Sequence, residues 1–461
     1  MGWRRAALCA AAAAAMASGA AAQSPALAFP DAVQAAVARY PGIEAARQGL
    51  ARAQAEAGAA ATNLLPSLGL AGQWDRATDN ATLGLSFPSP LPSISGTVPA
   101  KDYAPASAFT SAAGAYFSWE VADFGRRASN LRYYRDLAAA AGAQLDLARL
   151  QVGAHAGDAF LTVLAAQQQL GVAQADVGRW QQIAAIIQAL VDQQLRPGAD
   201  ASRAQAELAG ARIRQSNADR NLAIAQANLS EALNATGALP ALAPLPNAPP
   251  RLLAPAPALH PELRAQQSVV AAAQARTQEL ARSALPRWFV LGSAYGRGSG
   301  ILAAGSFAGG ASGLAPATAG NWGVGLGVDF SFTRWRTTIA QQAAAGAQLA
   351  QEKARQQQVA SSLGAAAQRA AADLAAARAV ALQAPIELDA ATASEAQARV
   401  RYQTGLAGVV DLANAEQLLA QAQSDAALSR LQVWRGLLET AFAAGDLQPL
   451  VLAASGASGG H

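Results

Sequence analysis

The chain is poor in the residues that chemistry usually needs. It holds one cysteine, Cys9, and three histidines, His155, His260 and His461, in 461 residues. One thiol gives no disulfide framework, and histidines this scattered give no paired zinc spacing, so no metal site is expected. His155 is read as packing between helices or facing a lumen. Charged residues make up only 14% and the formal net charge is +4. No run of lysine or arginine is interleaved with aromatics, which argues against nucleic acid as a partner. A phosphate-binding glycine loop and a nucleophile elbow are missing too. The stretch GVGLG from Gly323 alternates as a strand does, and no lysine follows it. The reading is of a chain that is not an enzyme and needs no cofactor, with any energy supplied by a partner. Nor is there a run of about 18 strongly apolar residues bounded by charges, so no spanning helix is expected.

What is there is mostly alanine. Apolar residues reach 52%, yet the excess is alanine, which has the highest helix propensity and almost no bulk. Such a composition favours long helices that approach each other closely. The N-terminus, MGWRRAALCAAAAAAMASGAAAQSPA, has Arg4 and Arg5, an apolar run and small residues ending at Ala22. It reads as a signal peptide over 1–22, with Cys9 inside its apolar run. A lipoprotein would need an apolar stretch ahead of Cys9, and only a few residues precede it.

The chain repeats its plan. PGIEAARQGLARAQAEAGAAATNLLPSL begins at Pro41 and PELRAQQSVVAAAQARTQELARSALPRW at Pro261, and in both the closing proline stands at the same distance from the opening one. Each half later carries a glycine turn, QLRPGADASRAQAEL around Gly198 and YQTGLAGVVDLANAEQLL around Gly405. The boundaries read as a first repeat over 27–237, a proline-rich linker over 238–258, a second repeat over 259–445 and a tail over 446–461. Heptad-spaced positions Leu145, Val152, Ala159, Ala166, Ala173, Trp180 and Ile187 argue for coiled-coil packing along one helix from Arg126 to Leu195. Shorter helices are expected over Pro30 to Leu64 and Asp200 to Thr236. The second long helix should run from Trp335 to Gln403, with Pro385 kinking or breaking it.

Four segments change period. NWGVGLGVDFSF sets Trp322, Val324, Leu326, Val328, Phe330 and Phe332 on one face, and GAYFSWEVADF sets Ala115, Phe117, Trp119 and Val121 against Tyr116, Ser118 and Glu120. Strands are expected near 67–76, 113–122, 287–297 and 321–332. Strands of this length with one apolar face suit a transmembrane barrel. Four cannot close one, because an open edge in lipid leaves backbone groups unsatisfied. Three copies would give twelve. On the strands alone, a small soluble sheet stands as the alternative.

These features resemble the TolC-like outer-membrane efflux protein family, over Leu27 to about Gly445. The resemblance is carried by the repeated opening, by SWEVADFGRR after the second strand and by RYQTGLAGVVDLANAEQLL. It implies a mainly α chain with a transmembrane β portion: duplicated helix–strand–strand–helix halves, a trimeric 12-stranded outer-membrane β-barrel and a long periplasmic α-helical coiled-coil tunnel. It further implies a homotrimer bounded by outer-membrane lipid, serving as the exit duct of a tripartite efflux system for drugs or metal ions. The partners would be a periplasmic adaptor (membrane fusion) protein and an inner-membrane pump of RND type, an ABC-type pump being the other option. A type I protein secretion duct and a soluble periplasmic coiled-coil scaffold are the competing readings. By the same resemblance the glycine turns are the periplasmic gate. Asp411, Asn414, Tyr402, Arg203 and Asp200 are then candidates for the pore constriction, and Gly198, Gly405 and Leu406 for the adaptor-docking turns. On this alignment Ala204 corresponds to Asp411, and Arg203 is a candidate for a salt bridge across the tip. Asp411 read alone is a helix-start acid interacting with the macrodipole.

Overall fold

A computed structural model of the chain describes residues 26–78, 107–246, 260–300, 311–316 and 319–455. The expected signal peptide, Cys9, most of the linker and His461 lie outside the described residues. The chain forms two compact units, and each draws on both sequence halves. One comprises Met1–Ala46, Leu145–Pro261 and Ser361–His461; the other comprises Arg47–Gln144 and Glu262–Ala360.

In chain order the helices are α1 (Phe29–Arg39), α2 (Pro41–Thr62), α3 (Arg126–Asp192), α4 (Gly198–Ala232), α5 (Pro261–Ser283), α6 (Phe332–Gln403), α7 (Val409–Ala444) and α8 (Gln448–Ala454). The strands are β1 (Ser67–Thr78), β2 (Ser107–Ala122), β3 (Arg287–Ser299) and β4 (Ala319–Asp329). The duplication is plain in their lengths. The long helices α3 and α6 have 67 and 72 residues, and their shorter partners α4 and α7 have 35 and 36. At 1.5 Å per residue each long helix holds about 100 Å of axial rise.

The unit that holds the strands is organised by one antiparallel sheet in the order β1-β2-β3-β4. One face is apolar. Leu68 and Leu70 on β1 are 82% and 87% exposed, and Trp322 on β4 is 82% exposed, followed by Val324, Leu326 and Val328. Between them Phe117 of β2 lies over Gly292 of β3, its register partner, where an added Cβ would run into the ring. On the opposite face Tyr116 covers Gly69 in the same way. Alternation of large side chains with glycine thus lets aromatic rings lie across neighbouring strands. β2 starts six residues before the expected position, because Ser107 to Ala112 pair with the far half of β1. β4 stops at Asp329 rather than continuing to Phe332. The Asp329 carboxylate accepts from Arg287 at the start of β3 and from Arg334 in the first turn of α6, which ends the ladder there.

The segment SWEVADFGRR is the joint between β2 and α3. Asp123 accepts from the backbone N–H groups of Gly125 and Arg127, at 3.0 and 2.8 Å, and from Arg127 Nε at 2.9 Å. This satisfies donors that a helix start leaves open. Phe124 and Gly125 both take left-handed backbone, at φ 53° and 84°.

The other unit has an aromatic-centred core. Phe29, Phe160 and Trp434 meet at centroid distances of 5.8 and 6.2 Å. Leu450 and Val451 of α8 complete the core, so residues read as a tail form a docked helix. The heptad row is buried at Leu145, Ala159, Ala166, Trp180 and Ile187. Gly436 of α7 approaches α6 so closely that a Cβ there would lie 3.0 Å from Leu374 Cα. Linker residues Ala241 and Ala243 pair with Leu27 through two backbone hydrogen bonds of 2.8 Å.

Two helix expectations need correction. The single helix expected from Pro30 to Leu64 is broken at Tyr40, which is extended because a proline follows it. Of the kink or break expected at Pro385, the break does not occur, since α6 runs through it. It sits on the exposed side of the helix, where water can satisfy the carbonyl that loses its partner. Among the described residues no helix is long and apolar enough to cross a membrane.

Candidate functional site

The two turns that join α3 to α4 and α6 to α7 face one another within a single unit, and a small core holds them. Val177, Trp180, Ile183 and Ile187 of α3, Ala201, Ala204 and Ala211 of α4, Tyr402 of α6 and Val409, Leu412 and Ala413 of α7 pack together. Alanine on α4 keeps that helix close to its neighbours, while the longer side chains of α3 and α7 supply the apolar area.

The two turns have the same backbone design. At the end of α6, Gly405 is left-handed at φ 80°, and Leu406 N–H returns to Arg401 O at 2.8 Å. At the end of α3 the left-handed residue is Gln194, at φ 59°, and Leu195 N–H returns to Leu190 O at 2.9 Å. Both are Schellman-type helix ends. This corrects the expectation for Gly198, whose φ is not left-handed and which is the first residue of α4. The cause is Pro197. It biases Arg196 away from helix and serves as the N-cap of α4, so the reversal falls ahead of it. The alignment of the halves shifts accordingly. Gly408 caps α7 as Pro197 caps α4, and Asp411 corresponds to Asp200 rather than to Ala204, since both stand three residues after the cap.

Asp411 accepts a hydrogen bond from Gly408 N–H at 3.1 Å, so the helix-start role is occupied. Its side chain remains exposed, as do Asn414 one turn on and Leu406 on the turn itself. Among the described residues Arg203 forms no bridge across the turns. It lies 4.0 Å from Glu207 on its own helix, because at that position its side chain runs along the exposed face of α4.

The residue that does reach across is Arg196, which sequence reasoning missed. Its Nη2 donates to Tyr402 O at 2.6 Å, and its guanidinium lies 4.6 Å from the Tyr402 ring centre. The Tyr402 hydroxyl is 3.5 Å from Asp200 Oδ2, at the limit of a hydrogen bond. Burial, followed by the Asp200 carboxylate, pushes the Tyr402 phenol above its ordinary pKa, with Arg196 opposing. Arg196, Tyr402 and Asp200 therefore form a clasp between the α3–α4 turn and the end of α6. The signal available was an arginine next to a turn proline, placed where the chain reverses. Among the described residues no group of three or more His, Cys, Asp or Glu could hold a metal ion.

Residues 32–235, spanning α1 to α4 with β1 and β2, match the outer membrane efflux protein family. That match covers somewhat under half of the chain. No curated protein matches it in sequence. The fold of the chain is similar to that of solved outer-membrane channels. It is similar to the outer-membrane channel OprN at 19% identity, covering 90% of this chain and 89% of that one, with a TM-score of 0.75. CusC gives a TM-score of 0.78 at 14% identity over 92% and 93%. The open state of the Neisseria gonorrhoeae MtrE outer membrane channel gives 0.71 at 18% over 91% and 89%.

Proposed function

We propose that three copies of this chain assemble into a passive efflux duct in the outer membrane that extends into the periplasm. The observation that carries the reading is the sheet. Its apolar face is exposed, and among the described residues β1 and β4 each have only one strand neighbour. In lipid, unpaired edges of this kind are costly, and closure by further copies removes them. Four strands from each of three copies make an even-numbered antiparallel barrel within the size range of such barrels.

The helices form the tunnel, and the clasped turns form its gate. Asp411 and Asn414 would ring the entrance, three of each, favouring cations through a ring of carboxylates. Gly405, Leu406 and the residues around Gly198 are exposed and suit docking by a periplasmic adaptor, with an RND-type pump in the inner membrane beyond it. The cargo is small molecules, drugs or metal ions, and the duct does no chemistry on them. The signal peptide over 1–22, repeats over 27–237 and 259–445 and linker over 238–258 complete this reading.

The test is the mass of the detergent-solubilised protein. Three chains per particle, inserted in lipid vesicles, support the duct. A single chain that stays in the aqueous phase refutes it.

A further inference from the structure

Further from the turns the same unit contains a buried charge cluster that the duct reading does not use. Glu416 of α7 is 0% exposed and is met by two arginines from different helices. Arg179 Nε of α3 lies 2.9 Å from its Oε2, and Arg399 Nη2 of α6 lies 3.3 Å from its Oε1. That Arg399 nitrogen is also 2.5 Å from Oε1 of Glu395, but this oxygen is buried without a hydrogen-bond partner, so the guanidinium lies between two carboxyl groups and bonds only that of Glu416. On the far side Asp176 of α3 is bound by Arg214 of α4 at 2.7 Å. Arg179 also donates to Gln423 of α7 at 3.1 Å. Its Nη2 lies 3.5 Å from Asp176 but is too poorly aligned to bond, and Arg399 Nε is buried without a hydrogen-bond partner. The charged groups that face Glu416 are thus Asp176 and Arg179 from α3, Glu395 and Arg399 from α6 and, beyond Asp176, Arg214 from α4.

Two carboxylates beside one guanidinium, one of them fully buried, repel each other, and a proton on the buried Glu416 carboxyl directed at the unpartnered Glu395 oxygen relieves both the repulsion and the missing bond. Burial first, then the hydrogen bond and charge of Glu395, push the Glu416 carboxyl above the usual range, with Arg179 opposing. A carboxyl with a raised value in the packed state adds stability that is fully present below its ordinary pKa. That stability is lost as pH rises through the raised value. The same linkage applies to any movement that exposes Glu416 to water.

We propose that Glu416, facing the unpartnered oxygen of Glu395, holds a proton bound by this packing of α7 against α3 and α6, so that mild acid holds the α6–α7 hairpin in place and higher pH loosens it. The proton is a ligand of the packed conformation. Where the duct reading also holds, and only to that extent, the gate would be harder to open in acid.

The test is hydrogen exchange of the full chain in detergent, corrected for the chemical exchange rate, between about pH 8 and about pH 5. Amides of 409–423 should gain protection as pH falls, by about tenfold for each unit by which the carboxyl is displaced. Glu416→Gln should abolish this response. Glu395→Gln, which removes the like charge but keeps a hydrogen-bonding partner, should shift it toward ordinary glutamate pH. An absent response in the wild type, or the same response in both variants, overturns the proposal. The readout does not depend on conductance, so it can fail while the duct stands, and the reverse also holds.

Discussion

At the scale of single residues, the two interhelical turns show how one geometry is reached by different side chains. Gly405 takes its left-handed backbone without steric cost, whereas Gln194 takes the same backbone with a Cβ present. Gln194→Gly should therefore slow local opening of the α3–α4 turn, a gain of about 1 kcal/mol, and Gly405→Ala should lose about the same. Amide exchange at each turn measures both. Arg196→Ala removes a charged hydrogen bond and a ring contact and should cost about 1–2 kcal/mol. Tyr402→Phe should cost much less, since its hydroxyl stands at the edge of bonding distance. Asp411→Asn separates two roles, because the amide oxygen can still accept from Gly408 N–H while the charge is gone. Thermal stability should barely change, and any cation preference of the pore should fall. The turns were only partly legible in the sequence. Glycine at 405 marked the reversal correctly, but Gly198 drew attention away from Gln194, because the effect of Pro197 on the preceding residues outweighs the attraction of a nearby glycine. Arg196 was hidden for another reason: its partner is a carbonyl and ring on a helix far away in the chain.

At the scale of elements, apolar period and proline placement were the dependable signals. The four strands follow from alternation, and the long helix α3 from a heptad row that is buried at Leu145, Ala159, Ala166, Trp180 and Ile187 and half-buried at Val152 and Ala173. What the sequence concealed were events decided by tertiary partners. β2 extends because β1 offers it edge to pair with, β4 stops because Asp329 is held by Arg287 and Arg334, and α6 passes Pro385 on its wet side. Two joints carry direct tests. Asp123→Ala at the start of α3 deletes the acceptor for two backbone N–H groups and should cost about 1–2 kcal/mol. Its carboxyl is held below the ordinary value. Burial is the largest single influence and opposes this, but the combined hydrogen bonds from Arg127 and Gly125 outweigh it. The contribution of this joint is therefore present above the ordinary aspartate pKa and lost as pH falls through the lowered one, which a pH series of thermal unfolding would detect against Asp123→Ala. Gly436→Val places a side chain against Leu374 Cα and should destabilise the α6–α7 pairing by about 1–3 kcal/mol.

At the scale of the whole molecule, duplication explains the economy of the sequence. Each half supplies one long helix, shorter helical partners and two strands, and neither compact unit is built from one half alone. The halves therefore fold as one molecule, and among the described residues the sheet they share has two open edges, which in the proposed duct further copies would close. Alanine suits this architecture because the helices pack mainly by close approach, with bulky side chains concentrated in the Phe29–Phe160–Trp434 core and in the small core at the turns. The central claim is that three such chains make a continuous water-filled path. Single-channel recording of the purified protein in a planar bilayer tests it most directly, with Asp411→Asn alongside. The account predicts discrete conducting events, cation-preferring in the wild type and less so in the variant. A protein of intact fold that produces no conductance and does not enter the bilayer would contradict it.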